Sequence, residues 1–489
     1  MKKNILLVLV VLLGISAVRS EIVAIFELAR HGARTPLLDI KNNSNWIKSW
    51  GLEELTDVGM RMHYHLGKSM KEKYTTIFDS KFTAANMDAI STNFNRTIVS
   101  GLSHFTGIFD QFQGQNLPFD NKDPRIQPPK LTINPDLPFN TALPNAFTPI
   151  PITSKLYQRI LMPIRDDCPY GNKAAAASKA ELSSSLLENI NVKNLMNQTA
   201  QIYGVPYLEW INEKTKGVRT VDLDTLYYMA DYAISDYHHN PEAQISKVEK
   251  NQNVYSKLLS ANSVATFSRF YSNPSYVKSI VSEVILDIFN KMKSIVDGKY
   301  SPIKYYYYSG HDDMLTAILL NYNLLSTDCI LQHLNSTQGL LPGCQQTPQY
   351  AANIVWELHK NLGKDNKTVE WSVIMAYNGD NKDFCYLLNF QDKYACPWNK
   401  YKERIEESTN SRYKEWCANG EDDQTFEQEV KLWKTLTWIL LVLILGLVVV
   451  CLLASLKLKK QLELSRSRDS NIQLDEHHNE SIGQRDPRV

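Results

Sequence analysis

The chain has 489 residues, with 53 Lys plus Arg against 52 Asp plus Glu, 43% hydrophobic and 10% aromatic residues, and seven cysteines. This composition excludes a disordered chain, a collagen, a coiled coil and a small disulfide knot, and the length allows a large core with a second lobe. Three basic side chains fall in residues 1–20 and seven, with six acidic ones, in residues 457–489, so residues 21–456 carry a net charge of −3 and have no general electrostatic reason to seek nucleic acid.

Residues 1–20 open with Lys2-Lys3, continue as an apolar stretch from Ile5 to Val18 and end at Arg19-Ser20. That is the pattern of a secretory signal peptide cut near Ser20, and the run is short for a bilayer span. A β-rich run, Ile22-Val23-Ala24-Ile25-Phe26, leads into Arg30-His31-Gly32. Helical patterns are expected over residues 56–70, 95–112, 154–164, 222–235, 277–293 and 313–321, and strands over 303–308, 353–358 and 369–377. Residues 166–297 are mostly helical in pattern, with an Ala/Ser-rich start at 174–185 and breaks at Gly204-Val205-Pro206 and His238-His239-Asn240-Pro241. The expected fold is α/β, a three-layer core with a mostly parallel sheet. Residues 21–165 and 298–420 form its two parts, and 166–297 an inserted α-helical cap lobe. Ligands in such sheets meet the carboxyl ends of strands. Arg30-His31 and His311-Asp312 both stand at such ends.

Residues 435–456 are apolar without one carboxylate or basic side chain, are flanked by Trp433 and are followed by Lys457, Lys459 and Lys460. Length and flanks predict one transmembrane helix with its basic end in the cytosol, hence a type I single-pass protein whose body is luminal or extracellular. Residues 421–434, opening with Glu421-Asp422-Asp423, read as a juxtamembrane stalk, and 457–489 as a cytosolic tail. Cys451 lies in the membrane segment. The remaining six, Cys168, Cys329, Cys344, Cys385, Cys396 and Cys417, suit an oxidising compartment and up to three disulfides, with fifteen possible connectivities. The Cys and His spacings of zinc sites are absent, so no metal or cofactor is expected. Sequons at Asn42, Asn197, Asn335 and Asn366 suit an exported surface, and a fifth begins at Asn95.

The informative string is Arg30-His31-Gly32-Ala33-Arg34-Thr35-Pro36. An imidazole near two guanidinium groups has a lowered pKa and stays neutral and nucleophilic in mildly acidic water. Arg30 and Arg34 can fork onto phosphate oxygens, and Gly32 allows close backbone approach. A histidine attacking phosphorus forms a phosphohistidine that water resolves, which also requires charge stabilisation and a proton donor for the leaving alcohol. Arg96, in Asn95-Arg96-Thr97 at a helix start, and His311-Asp312 supply those parts. His63 and His65 read as surface or packing positions, His238-His239 as a loop break, Tyr305 to Tyr308 as a buried strand and Asp313 as a helix cap.

These residues resemble the histidine acid phosphatase family, of the membrane-anchored lysosomal type. Its motif Arg-His-Gly-x-Arg-x-Pro stands here as Arg30, His31, Gly32, Arg34 and Pro36, its His-Asp pair as His311-Asp312 and its mid-chain arginine as Arg96. Leu55-Thr56, Gly59-Met60-Arg61 and Leu66-Gly67 resemble the family's first helix region. The resemblance covers most of residues 21–420 and implies an α/β core with a helical cap. It implies His31 as nucleophile, Asp312 as proton donor, and Arg30, Arg34, Arg96 and His311 as phosphate ligands. The substrate implied is a small-molecule or protein phosphomonoester. Family members usually have an acidic residue near the mid-chain arginine, where Asn93 and Asn95 stand here; a glycan on Asn95 would crowd the substrate, so that sequon is expected to stay unmodified. The cap in the family often sends a cysteine to the late body, whereas Cys329 and Cys344 bracket a local loop here. The pairing expected is Cys168 with Cys417, Cys329 with Cys344 and Cys385 with Cys396. The tail lacks the tyrosine of lysosomal sorting signals, which leaves lysosome, phagosome and cell surface open, as a homodimer is. Two alternatives stand beside the acid phosphatase: a catalytically silent receptor or adhesion protein on the same fold, and a phytase-like inositol phosphate phosphatase.

Overall fold

The first described element is β1 (Arg19–Arg30), followed by α1 (Asn45–Trp50), α2 (Asp57–Lys73), β2 (Met87–Ser91) and α3 (Asn95–Ile108). Five helices come next: α4 (Pro169–Leu187), α5 (Ile190–Tyr203), α6 (Leu223–His239), α7 (Glu249–Phe267) and α8 (Pro274–Val296). The chain then returns to the sheet through β3 (Tyr305–Gly310), α9 (Asp312–Asn321), α10 (Thr327–Asn335), β4 (Asn353–Leu362), β5 (Val369–Tyr377), β6 (Asp380–Lys382) and β7 (Cys396–Pro397). It closes with α11 (Trp398–Ser408), α12 (Tyr413–Asn419) and α13 (Asp423–Asn479). The computed structural model describes residues 19–479 apart from 40–44, 80–81, 110–116, 119–140, 142, 144–148, 155–159, 163–167, 206–222, 241–248, 272, 300, 338, 341–343, 363–367, 387–392 and 420–422. Residues 1–18 of the expected leader, most of the helix expected over 154–164, and the sequons at Asn42 and Asn366 lie outside the described residues.

The strands form one sheet in the order β2-β3-β1-β4-β5-β6, with β7 also on β5. The expectation of a mostly parallel sheet holds for two of the six pairings: β2–β3 and β3–β1 are parallel, whereas β1–β4, β4–β5, β5–β6 and β5–β7 are antiparallel. The parallel pairs are joined through helices, as a parallel crossover requires. β5 and β6 instead meet across the tight turn Asn378-Gly379, where Asn378 has φ 50° and Gly379 φ 87°, positive values suited to an antiparallel hairpin.

Strand alternation makes the layers. Ala24, Phe26, Leu28, Tyr306, Tyr308, Ile354 and Trp356 enter one large core, which α4 to α9 cover. Ile25, Ala29, Tyr305, Tyr307 and Val355 enter a second core on the opposite face, against Met70 and Tyr74 at the end of α2 and Phe105 and Ile108 of α3. With both faces covered, all of β3 is buried, which is why four successive tyrosines persist there. Local signals set the helix starts. Thr56 caps α2 by accepting from the Gly59 N–H, and Asn273 caps α8 by accepting from Tyr276 with Pro274 in the first turn.

The six body cysteines are joined as Cys168–Cys417, Cys329–Cys344 and Cys385–Cys396. The first closes a span of 249 residues and ties the start of α4 to α12. Residues up to 420 form one unit and residues 421–489 a second. In the second, Thr435–Leu462 of α13 is helical, apolar and wholly exposed, long enough to cross a membrane.

Candidate active site

Parallel register brings the separated motifs together. Arg30 at the end of β1 pairs with Gly310 at the end of β3, and the His31 N–H donates to the Gly310 carbonyl at 3.0 Å. The next residues are therefore His31 on one strand and His311 on its neighbour, with ring centroids 5.5 Å apart. β2 ends beside β3 in the pairing Ser91 with Ser309, and the chain turns at once into α3, which carries Arg96 in its first turn. His31, His311, Arg34, Arg96 and Asp312 line one cavity of about 330 Å³.

The His31 ring is oriented by its own backbone: Nδ1 lies 2.8 Å from the Gly32 carbonyl. A carbonyl only accepts, so Nδ1 carries the proton and Nε2 the free lone pair. Burial, then Arg96, Arg30, His311 and Arg34, hold His31 well below the ordinary histidine range. His311 is lowered to about 3 by burial and Arg96, against the attraction of Asp312. Its Nε2 lies 3.0 Å from the Thr92 hydroxyl, which meets Thr97 at 2.8 Å. Among the described residues, Arg30, Arg34 and Arg96 each keep a buried Nε–H without a protein acceptor. Such unpaired donors are costly unless an anion takes them.

Each arginine also has a carboxylate partner. Asp312 meets Arg30 at 2.9 Å, Asp231 meets Arg34 at 2.8 Å, and Glu53 meets Arg96 at 3.4 Å. The Arg30 guanidinium also donates to the Pro348 carbonyl at 2.7 Å and lies 4.5 Å from the centre of the Tyr350 ring. Burial works against ionisation of Asp312, but Arg30, His311 and Arg34 hold its pKa below the usual value. Its neighbour Asp313 is pushed up to about 6 by burial and by Asp312. The cavity mouth adds Lys179 with Asp224 at 2.5 Å and Arg269 with Asp313 at 3.8 Å. Among the described residues its lining thus holds four cationic side chains, Arg34, Arg96, Lys179 and Arg269, against four carboxyl groups, Glu53, Asp224, Asp312 and Asp313.

Several contributors had no motif to announce them. Helix α6 holds the loop after β1 and the cap of α2 with three residues at a spacing of four, which places them on one face. Asp231 takes Arg34 and the Leu37 N–H, Ser235 donates to the Arg34 carbonyl, and His239 meets the Thr56 hydroxyl at 2.6 Å. His238-His239, expected in a loop break, are the last two residues of α6, and the break begins at Asn240. His63, expected at a surface or packing position, is fully buried with Nε2 2.9 Å from the Arg30 carbonyl. Gly32 allows a close approach, but the neighbour is the backbone of α2: a β-carbon there would lie 2.3 Å from the Gly59 carbonyl oxygen. Asn95 is exposed and donates to Glu54 at 3.1 Å. Asn197 is exposed on α5, and Asn335, the last residue of α10, is half-buried.

A neutral imidazole beside clustered guanidinium groups is chemically suited to handling a phosphoryl group. A model of the histidine phosphatase superfamily (branch 2) matches residues 21–378, and the chain belongs to that superfamily and hence to a class of phosphatases. Lysosomal acid phosphatase of Xenopus laevis is 22% identical over 79% of this chain and 77% of its own length. Prostatic acid phosphatase of Bos taurus is 29% identical over a shorter stretch, 16% of this chain and 21% of that protein. The fold is similar to that of Hafnia alvei phytase, with a TM-score of 0.54 at 12% identity, covering 81% of this chain and 98% of the phytase.

Proposed function

We propose that this protein is an acid phosphatase that hydrolyses phosphate monoesters through a phosphohistidine on His31. The observation that carries the reading is the His31 ring: Nδ1 is committed to the Gly32 carbonyl, and among the described residues Nε2 is left free beside three guanidinium groups with unpaired N–H donors. Nε2 attacks phosphorus as the bond to the leaving oxygen breaks. Arg30, Arg34, Arg96 and His311 take the equatorial oxygens, whose charge must be stabilised in the transition state. Asp312 donates a proton to the leaving oxygen. In the resting site Arg30 keeps that carboxyl ionised. An arriving phosphate gives Arg30 a second anion and sets a like charge beside Asp312, both of which raise its pKa and let it take a proton in acidic surroundings. Water then attacks the phosphohistidine with Asp312 as base, and inorganic phosphate leaves.

The apolar helix Thr435–Leu462 tethers the protein to a membrane. The leader-like start and three disulfides support a body on the non-cytosolic side, in a lysosome, a phagosome or at the cell surface. A phytase-like preference is disfavoured by the charge-balanced lining, and a silent receptor by the intact set His31, Arg34 and Asp312. The detergent-solubilised full chain should release phosphate from p-nitrophenyl phosphate. His31→Ala should lower turnover by at least roughly a thousandfold, and acid quenching during turnover should trap label on His31. Turnover retained by His31→Ala would end the reading.

A further inference from the structure

Glu53 occupies an unusual position for a residue with a side chain. Its φ is 65°, left-handed backbone that glutamate adopts only when its surroundings impose it. The surroundings here are the motif loop: the Glu53 N–H donates to the Pro36 carbonyl at 3.3 Å, the Glu54 N–H to the Thr35 hydroxyl at 3.0 Å, and Thr35 N–H to the Glu54 carbonyl at 3.0 Å. On its other side Asn95 holds the Glu54 carboxylate at 3.1 Å. Strapped in this way, Glu53 projects its carboxylate to Arg96 at 3.4 Å, on the cavity wall. The Glu53 side chain is 41% exposed and that of Arg96 13%, so the carboxylate lies at the mouth and the guanidinium within.

From this geometry we propose that Glu53 determines specificity. It engages Arg96 until phosphate displaces it, and it fixes a negative charge where the leaving group of a bound ester would lie. Among the described residues at the mouth, Lys179 and Arg269 each already have a carboxyl group beside them, Asp224 and Asp313. The pocket takes esters with neutral or cationic leaving groups and rejects leaving groups that carry further phosphates. This rests on the phosphatase reading above and adds a substrate class to it.

The test uses the full chain in detergent and two variants. Glu53→Gln keeps the side-chain shape and removes the charge; Glu53→Gly removes the side chain and the backbone strain. Both should bind inorganic phosphate about three- to tenfold tighter by calorimetry, since Arg96 loses its competitor. Both should raise the ratio of kcat/KM for inositol hexakisphosphate over p-nitrophenyl phosphate by roughly tenfold. An unchanged ratio, or weaker phosphate binding in Glu53→Gln, would overturn the proposal. The calorimetry judges it even without turnover; wild-type protein that bound phosphate but hydrolysed neither ester would overturn the phosphatase reading instead.

Discussion

Asp231 and Arg34 lie 197 residues apart in the chain, yet an Asp231 carboxylate oxygen accepts from the Arg34 Nη2 at 2.8 Å while the other accepts from Nη1 at 3.3 Å. Both side chains are nearly inaccessible, at 3% and 4%. Asp231→Asn leaves a buried guanidinium without its anion and replaces one of the two oxygens that serve Arg34 and the Leu37 N–H with an amide nitrogen that only donates. Breaking a buried pair on one side costs about 3 kcal/mol, so chemical unfolding of the variant should shift by that amount. KM for an aryl phosphate should rise as Arg34 loses its orientation. An unaltered unfolding midpoint would show that the pair is not formed.

Asp312→Asn should reveal itself through the leaving group. Nitrophenolate departs without a proton, whereas an alkoxide needs one. The variant should therefore lose on the order of a hundredfold more turnover on an alkyl phosphate than on p-nitrophenyl phosphate. Equal losses on the two esters would remove Asp312 from that role.

Glu27 supplies a pH dependence of stability. It is fully buried, accepts from Tyr305 at 2.6 Å and Asn353 at 2.7 Å, and burial raises its pKa from 4.5 to about 7. The folded state holds the extra proton, so this stabilising contribution is complete below 4.5 and is lost as the pH rises through about 7. His63 has the opposite sign: lowered to about 4 by burial, it favours the unfolded chain as the pH falls. Glu27→Gln should flatten the decline in melting temperature between these two Glu27 values, a change that melting curves across that window will register.

Gly32→Ala tests how tightly the motif loop sits on α2. The added carbon would lie 2.3 Å from a backbone oxygen that cannot rotate away, and overpacking of this kind costs about 1–3 kcal/mol. Gly339→Ala, with nothing within 4 Å, should melt like the parent. Equal melting temperatures for the two variants would mean that the loop and helix can separate freely.

Asn95 should remain unglycosylated, because its amide nitrogen is engaged by Glu54 and the next residue is Arg96 of the cavity wall. Intact glycopeptide mapping of the purified protein will decide it.

The residues that later meet in one cavity were legible where the chain writes them as local strings. Arg30 to Pro36 and His311-Asp312 follow β-rich runs, so both composition and position mark them, and the capped start of α2 and the buried β3 follow equally local rules. Asp231, Ser235 and His239 were not legible, because their partners are chosen by packing between distant segments. The only trace is a four-residue polar spacing on a helix whose Leu226, Met229, Ala230 and Ala233 are otherwise core. Glu53 is harder still: nothing in Gly51-Leu52-Glu53-Glu54 reports a left-handed glutamate. The direction of the outer strands was misread for a similar reason, since alternation shows which face a residue takes and not which way the neighbouring strand runs.

The order of synthesis gives the central place of β1 a further meaning. Its two sheet neighbours are residues 305–310 and 353–362, so the first strand to leave the ribosome must stay unpaired until almost the whole body has been made. Closing so large a loop is slow and leaves an apolar edge open to wrong partners. A chain that ended before residue 353 would leave one edge of β1 unpaired, at the centre of the sheet rather than at its rim.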